Sequence, residues 1–189
     1  MKKPLFIISC STLLLVAPPL AHAGFYLGGG AGISQIQNYP KTTGASYDDS
    51  NVTGKVYAGY QFHKNVALEA AYHHLGNIKG NFSGVVAEAK AFGGSLQVVA
   101  KLPVTEKTAL FIKGGGLYTR VVAEASYNAL SASAKDARVA PVLGIGAETD
   151  ISNQIKLRAE VEHVINVGNA GTTGQADITT FTASANYNF

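Results

Sequence analysis

The sequence predicts an all-β fold, an eight-stranded antiparallel up-and-down transmembrane β-barrel. Three observations predict it. Hydropathy from residue 24 onward alternates with period two, as in a strand with unlike faces, and not with the 3.6 of an amphipathic helix. No apolar run in that stretch reaches the roughly 18 residues that a membrane helix requires. Charged residues are only 14% of the chain, against about 25% in ordinary soluble domains, and there are 21 glycines.

The N-terminus reads differently. Lys2 and Lys3 give it a basic start, and residues 5–17 are apolar apart from Ser9, Ser11 and Thr12. Pro18-Pro19 breaks that run, and Ala21-His22-Ala23 is a small-x-small cleavage pattern. This is the layout of a secretory signal peptide, and its apolar run is too short to span a bilayer. The expected division is a signal peptide over 1–23 and an outer-membrane barrel over 24–189. Cys10 is the single cysteine and falls in the leader, so neither a disulfide nor thiol chemistry is expected of the barrel. Without Lys2 and Lys3, 13 of the 15 basic residues face 12 acidic ones, a net charge of +1. Such a balance gives no reason to expect a nucleic-acid partner.

The eight alternating segments follow in order. Residues 25–34, "FYLGGGAGIS", set Phe25, Leu27, Ala31 and Ile33 against Gly28, Gly30 and Gly32. Residues 55–62 set Val56, Ala58, Tyr60 and Phe62 against Lys55 and Gly59, and residues 66–74 set Val66, Leu68, Ala70 and Tyr72 against Glu69. In 92–102, Phe92, Leu96, Val98, Ala100 and Leu102 oppose Gly93 and Lys101; in 110–120, Leu110, Ile112 and Tyr118 oppose Lys113 and Gly115. Residues 139–149 alternate Leu143, Ile145 and Ala147 with Gly144, Gly146 and Glu148. Residues 155–163 alternate Ile155, Leu157, Ala159 and Val161 with Lys156, Arg158, Glu160 and Glu162. The last segment, 178–189, carries Phe181, Ala183, Ala185, Tyr187 and Phe189 on one face. Eight even segments of about ten residues suit a small tilted barrel.

The connections alternate in length. Those at 63–65, 103–109 and 150–154 are short; those at 35–54, 75–91, 121–138 and 164–177 are long. One rim therefore carries only tight turns and the other all the loops, the asymmetry of an outer-membrane barrel. The third long connection, "VVAEASYNALSASAKDAR", fits an extended hairpin or a short helix as well as a loop.

Alternation alone leaves open which face is outside, since a soluble lipocalin-type barrel alternates inside out. The glycines favour the membrane reading. They weaken a solvent-facing strand, but inside a narrow barrel they make room for long charged side chains. The aromatics agree. Phe25, Tyr60, Phe62, Tyr187 and Phe189 gather near the short-turn rim, and Tyr72, Phe92, Tyr118 and Phe181 toward the other. Phe181 and Phe189 are separated by roughly 20 Å along the membrane normal at ~3.3 Å per residue and ~40° tilt, close to the spacing of two aromatic girdles.

On these residues the chain resembles the transmembrane domain of OmpA and its small relatives of the OmpX and opacity type. "GFYLGGGAG" is similar to their first strand, and "AGYQFHKNVALEAAYHHLG" to their second and third strands with the turn between. "VVAKLPVTEKTALFIKGGG" and "APVLGIGAETDIS" match the fourth to sixth in pattern. The resemblance implies that Tyr187 and Phe189, in the terminal "TASANYNF", are the signal read by the outer-membrane assembly machinery. It also implies a lumen salt-bridge network of Glu69, Lys101, Glu148 and Arg158, with Glu69 directed at Arg158 and Lys101. Lys55, Lys113 and Glu160 are secondary lumen charges. In that family such groups exchange partners and so open or close a narrow water path. The polar plug is favoured over conduction, because a barrel this small is packed. No segment resembles the peptidoglycan-binding domain that follows the barrel in full-length OmpA, so cell-wall anchoring through it is not expected.

Other chemistries fit poorly. A lipid A deacylase of the PagL kind needs His-x-Ser-Asn, and the nearest stretch, His163-Val164-Ile165-Asn166, has isoleucine where the serine nucleophile must stand. An omptin-type protease needs a longer chain. His73 and His74 are adjacent on a strand and point to opposite faces, so they do not share a metal ion. The expectation is an outer-membrane monomer with no enzymatic role, no cofactor and no metal. It would support the membrane, contact lipid and lipopolysaccharide, and offer loops to host surface or serum proteins. The alternatives are a narrow ion-conducting pore and, less favoured, a lipid A-modifying enzyme.

Overall fold

The computed structural model describes residues 24–37, 46–47, 50–82, 85–127, 130–169 and 174–189. The expected signal peptide lies outside the described residues. Eight long strands run β1 (Gly24–Gln37), β2 (Ser50–His63), β3 (Val66–Phe82), β4 (Val85–Pro103), β5 (Thr108–Tyr127), β6 (Leu130–Asp150), β7 (Ile155–Asn169) and β8 (Gly174–Asn188). A two-residue strand, Ser46–Tyr47, adds to the outer end of β3. Every long strand is antiparallel to its sequence neighbours, and β1 pairs with β8 to close the barrel.

The register fixes its girth. Cross-strand partners lead from Phe25 through Tyr60, Leu68, Val98, Gly114, Leu143, His163 and Thr179 back to Gln35, ten residues further along β1. A stagger of ten over eight strands gives a tilt of about 41° and a radius of about 8 Å at ~3.3 Å rise and ~4.8 Å spacing. That interior has room for side chains and little else.

The faces divide as the alternation predicts. Ile112 is 62% exposed and its neighbour Lys113 only 4%. Large apolar side chains cover the outside from Phe25 to Phe189, while lysines, glutamates and an arginine are buried inside. A water-soluble barrel has the reverse distribution, so the outer surface is built for lipid.

One long connection differs from the sequence expectation: residues 75–91, expected as a loop, are a continuous ladder in which β3 pairs with β4 as far as Phe82 and Val85. Of the loop, extended hairpin and short helix open to the third connection, 121–138, the extended hairpin is the one adopted, with β5 paired to β6 as far as Tyr127 and Leu130. Backbone pairing continues past the bilayer because a strand that has left the lipid no longer needs an apolar outer face. From Tyr118 to Tyr127 the hairpin climbs about 22 Å beyond the girdle. In the other two long connections the strands also extend further than expected, to Ser50 in β2 and Asn169 in β7; residues 38–45 and 170–173 lie outside the described residues.

Candidate functional site

The lumen is filled by a stack that starts at the short-turn rim. Lys101 Nζ donates to Glu148 Oε1 at 2.7 Å and to Gln61 Oε1 at 3.2 Å. Arg158 then joins two carboxylates: Nη2 donates to Glu148 Oε2 at 3.1 Å and Nη1 to Glu69 Oε2 at 2.7 Å. The Tyr26 hydroxyl also donates to Glu69 Oε2, at 3.0 Å. Further in, Lys113 Nζ lies 2.7 Å from Glu160, 2.9 Å from Glu162 and 3.5 Å from Glu69. Lys55 pairs with Glu160 and, at 2.9 Å, with Glu162. The sequence directed Glu69 at both Arg158 and Lys101; it meets Arg158, while Lys101 is held by Glu148.

These buried charges balance. Lys55, Lys101, Lys113 and Arg158 face Glu69, Glu148, Glu160 and Glu162, and all eight are under a tenth exposed. Each cation touches at least one carboxylate. A confined lumen demands this, since an unpaired buried charge costs several kcal/mol.

Aromatic side chains complete the lower stack. The Arg158 guanidinium lies 4.7 Å from the Phe111 ring centre, 5.0 Å from Tyr57 and 5.7 Å from Tyr26, at cation–π distance. The two tyrosines are seated reciprocally on β1 and β2. Tyr26 faces Gly59 and Tyr57 faces Gly28 across the ladder. A Cβ on either glycine would overlap the opposing ring, so each ring occupies the space its partner glycine leaves.

Above the charges the lumen becomes less polar. Gln97 Nε2 donates to Glu162 at 3.2 Å and to Ser95 Oγ at 3.0 Å, and Ser95 Oγ lies 2.8 Å from His73 Nε2. Beyond His73 an apolar cluster that includes Leu75, Leu117, Val121, Val142, Val164 and Ile178 fills much of the lumen, and the buried hydroxyls of Ser34, Thr53 and Thr119 around it donate to backbone carbonyls. The lumen thus has a charged tier toward the short turns and an apolar tier toward the hairpins. A cavity of about 140 Å³ at the short-turn rim leads from solvent to Lys101 and Glu148.

The structure therefore brings Glu69, Lys101, Glu148, Arg158, Lys55, Lys113 and Glu160 into one network. Glu162 was counted on the lumen face but not in the network, and it touches both Lys55 and Lys113. Tyr26, Tyr57, Phe111, Gln97, Ser95 and His73 were not anticipated as lumen groups. Their signal was parity: Tyr57 is two residues from Lys55 and Phe111 two from Lys113. His73 and His74 do diverge, one buried beside Ser95 and the other exposed outside. Tyr187 and Phe189 meet edge to face on the outer wall, ring centres 5.1 Å apart. Ser95 and His73 are placed like a nucleophile and its base, but both are enclosed between the two tiers. Among the described residues no group of three or more His, Cys, Asp or Glu side chains is placed to hold a metal ion.

Comparison with known proteins agrees with this architecture. The model of the OmpA-like transmembrane domain matches residues 20–189. Outer membrane protein A of Klebsiella pneumoniae is 29% identical over 161 residues, covering 79% of this chain and 46% of that protein. The chain thus spans less than half the length of that relative. Among solved structures, Ail, the attachment invasion locus protein of Yersinia pestis, superposes with a TM-score of 0.62 at 15% identity, covering 89% of this chain and 99% of that one. Neisserial surface protein A superposes with a TM-score of 0.61 at 12% identity, covering 88% and 99%. At those identities the likeness is one of fold.

Proposed function

The chain belongs to the family of OmpA-like transmembrane domains, and on that premise we propose that it is a sealed structural barrel whose hairpins meet partners at the cell surface. Its place is the bacterial outer membrane. The observation that carries the sealed reading is the two-tier lumen. Four cations and four carboxylates are mutually paired, and the apolar tier lies in series with them. An ion would have to break the first and cross the second, and a narrow apolar constriction excludes ions by dewetting. Conductance in planar bilayers tests this. Wild type is expected to be silent, and Glu69→Ala alone to stay silent because the apolar tier remains. Glu69→Ala with Leu117→Ser and Val142→Ser is expected to conduct. Steady single-channel currents from wild type would sink the sealed reading.

The narrow pore remains the second reading because the rim cavity leads to Lys101 and Glu148, a start to a water path; the same recordings decide it. A surface role is supported by the hairpins that rise beyond the girdle. Ail is named for attachment and invasion and Neisserial surface protein A for its place; contact with host surface or serum proteins is proposed for this chain on that analogy. Shortening each hairpin in turn and measuring cell binding and serum survival tests it. The closed ladder leaves no strand edge unpaired within the bilayer, which favours a monomer. We assign no catalytic role. Lipid A of unchanged mass in cells with and without the protein is the expected result; a lost acyl chain would reverse that assignment.

A further inference from the structure

We propose that the cavity at the short-turn rim is a socket for a carboxylate presented by an acidic peptide, with Lys101 at its floor and Lys64 and Lys107 at its mouth. Short turns face the periplasm in an outer-membrane barrel, so the occupant is a periplasmic peptide.

The ends of three hairpins, β2–β3, β4–β5 and β6–β7, enclose the cavity, and they are tied to one another. Lys101 N donates to the Asn65 carbonyl at 2.7 Å, and Asn65 Nδ2 donates to the Lys101 carbonyl at 2.9 Å. Asp150 N donates to the Lys107 carbonyl at 2.8 Å. Within the β4–β5 turn, Thr105 Oγ1 accepts from the amides of Lys107 and Thr108, at 3.2 and 2.9 Å. The walls are therefore set before a ligand arrives, and binding does not have to order them.

The charges along those walls do not cancel. Lys101 is held by Glu148 at 2.7 Å and Lys156 by Asp150 at 2.9 Å. Lys64 and Lys107 are exposed, and among the described residues neither is joined to a carboxylate. Glu106 alone remains against them. Four lysines thus face three carboxylates, an excess of +1. An ammonium carries three protons, and Lys101 directs two of them at Glu148 and Gln61. A carboxylate supplies one negative charge and accepts charge-assisted bonds from ammonium groups. A phosphate dianion would bring a second charge to a wall that already holds Glu148 and Asp150.

Size points the same way. About 140 Å³ is less than the roughly 300–1,000 Å³ of a site that takes a whole small molecule. The cavity admits one functional group on a short stem, with the rest of the ligand outside across the turns. An acidic side chain or the end of a peptide has that form. The socket ends blind, because Glu148 at its floor is also held from within by Arg158 at 3.1 Å.

The test is an NMR titration of the isotope-labelled barrel, refolded in an uncharged maltoside detergent. The probes are a blocked glycine pentapeptide with a central glutamate, the same peptide with glutamine, sodium acetate, and inorganic phosphate. The glutamate peptide is expected to shift the amides of Lys64, Lys101 and Lys107 saturably, half-complete at about 1 mM. The glutamine peptide should not shift them, and acetate should bind at least about threefold more weakly. Lys64→Gln with Lys107→Gln takes the lining from +1 to −1 and should weaken binding about fivefold. Glu106→Gln takes it to +2 and should strengthen binding about twofold. Arg120→Gln, at the opposite rim, should leave it unchanged. The gel mobility of unheated samples shows that each variant is folded. Equal shifts with the glutamine peptide, no saturation by about 20 mM, or unchanged binding in the double lysine variant overturns the proposal. Phosphate as tight as the glutamate peptide overturns the carboxylate, and acetate as tight overturns the peptide. Orientation is read separately: Lys107→Cys that reacts with a membrane-impermeant reagent on intact cells overturns the periplasmic source, whatever the titration gives.

Discussion

Replacing Arg158 by alanine should cost the folded barrel about 3 kcal/mol, the lower end of the roughly 3–5 kcal/mol for stranding a buried ionic partner. The guanidinium holds Glu69 at 2.7 Å and Glu148 at 3.1 Å. Its loss leaves three lumen cations against four carboxylates. The lower end applies because neither glutamate is abandoned. Glu148 keeps Lys101 at 2.7 Å, and Glu69 keeps Lys113 at 3.5 Å and the Tyr26 hydroxyl at 3.0 Å. The figure of about 3 kcal/mol includes the lost contact with the Phe111 and Tyr57 rings, itself about 0.5–2 kcal/mol. A loss of 3 kcal/mol lowers the folding constant more than a hundredfold, at about 1.4 kcal/mol per factor of ten. The assay is reversible folding into lipid vesicles across a urea series, followed by gel mobility and far-ultraviolet circular dichroism, since the chain has no tryptophan. Adding Glu69→Gln to Arg158→Ala should restore at least about 1 kcal/mol by removing the stranded charge. A loss below about 1 kcal/mol for the single variant, or no recovery in the double, would refute the view that charge pairing holds the lumen together.

Three further outcomes are expected. Gly28→Ala should destabilise by about 1–3 kcal/mol, because its methyl group meets the Tyr57 ring; the same urea series reads it, and a neutral result would mean that the ring is not seated there. His73→Ala should cost about 1–3 kcal/mol by emptying the space of a buried ring and leaving Ser95 with Gln97 alone, while His74→Ala should stay within about 0.5 kcal/mol, so equal effects would contradict their placement on opposite faces. Phe189→Ala should lower the yield of barrel in the outer membrane, measured by blotting of membrane fractions. The refolded protein should lose less than about 1 kcal/mol, because that side chain is 74% exposed; an unchanged yield would remove the terminal phenylalanine as an assembly signal.

The barrel was legible where lipid imposes a rule. Between Phe25 and Ile33, or Ile155 and Val161, every second residue must be apolar, and the strand announces itself. Beyond Tyr118 and Tyr72 that rule lapses. The ladder continues through "VVAEASY" as backbone pairing without that alternation, so hydropathy reads it as loop. The lumen charges were legible for a related reason: Lys55, Lys113 and Arg158 share parity with glycines and oppose an unbroken apolar face. The apolar tier was not. Leu117 and Val142 share parity with Lys113 and Gly144, but their outward neighbours Tyr118 and Leu143 are apolar as well. Where both faces are apolar, alternation carries no information on which side is the lumen. Tyr26, Tyr57 and Phe111 were hidden in the same way, as aromatics in a chain where most of the described aromatics face lipid.

A lumen whose eight charges sum to zero constrains how its sequence can drift. Reversing one member leaves two units of excess charge in a packed lumen, so single reversals should destabilise strongly while paired reversals are tolerated. Because Lys113 touches three carboxylates and Arg158 two, the compensating change need not fall on one fixed partner. The interior therefore behaves as a conserved sum over interchangeable positions, and relatives can keep the same neutral column while each writes it with different residues.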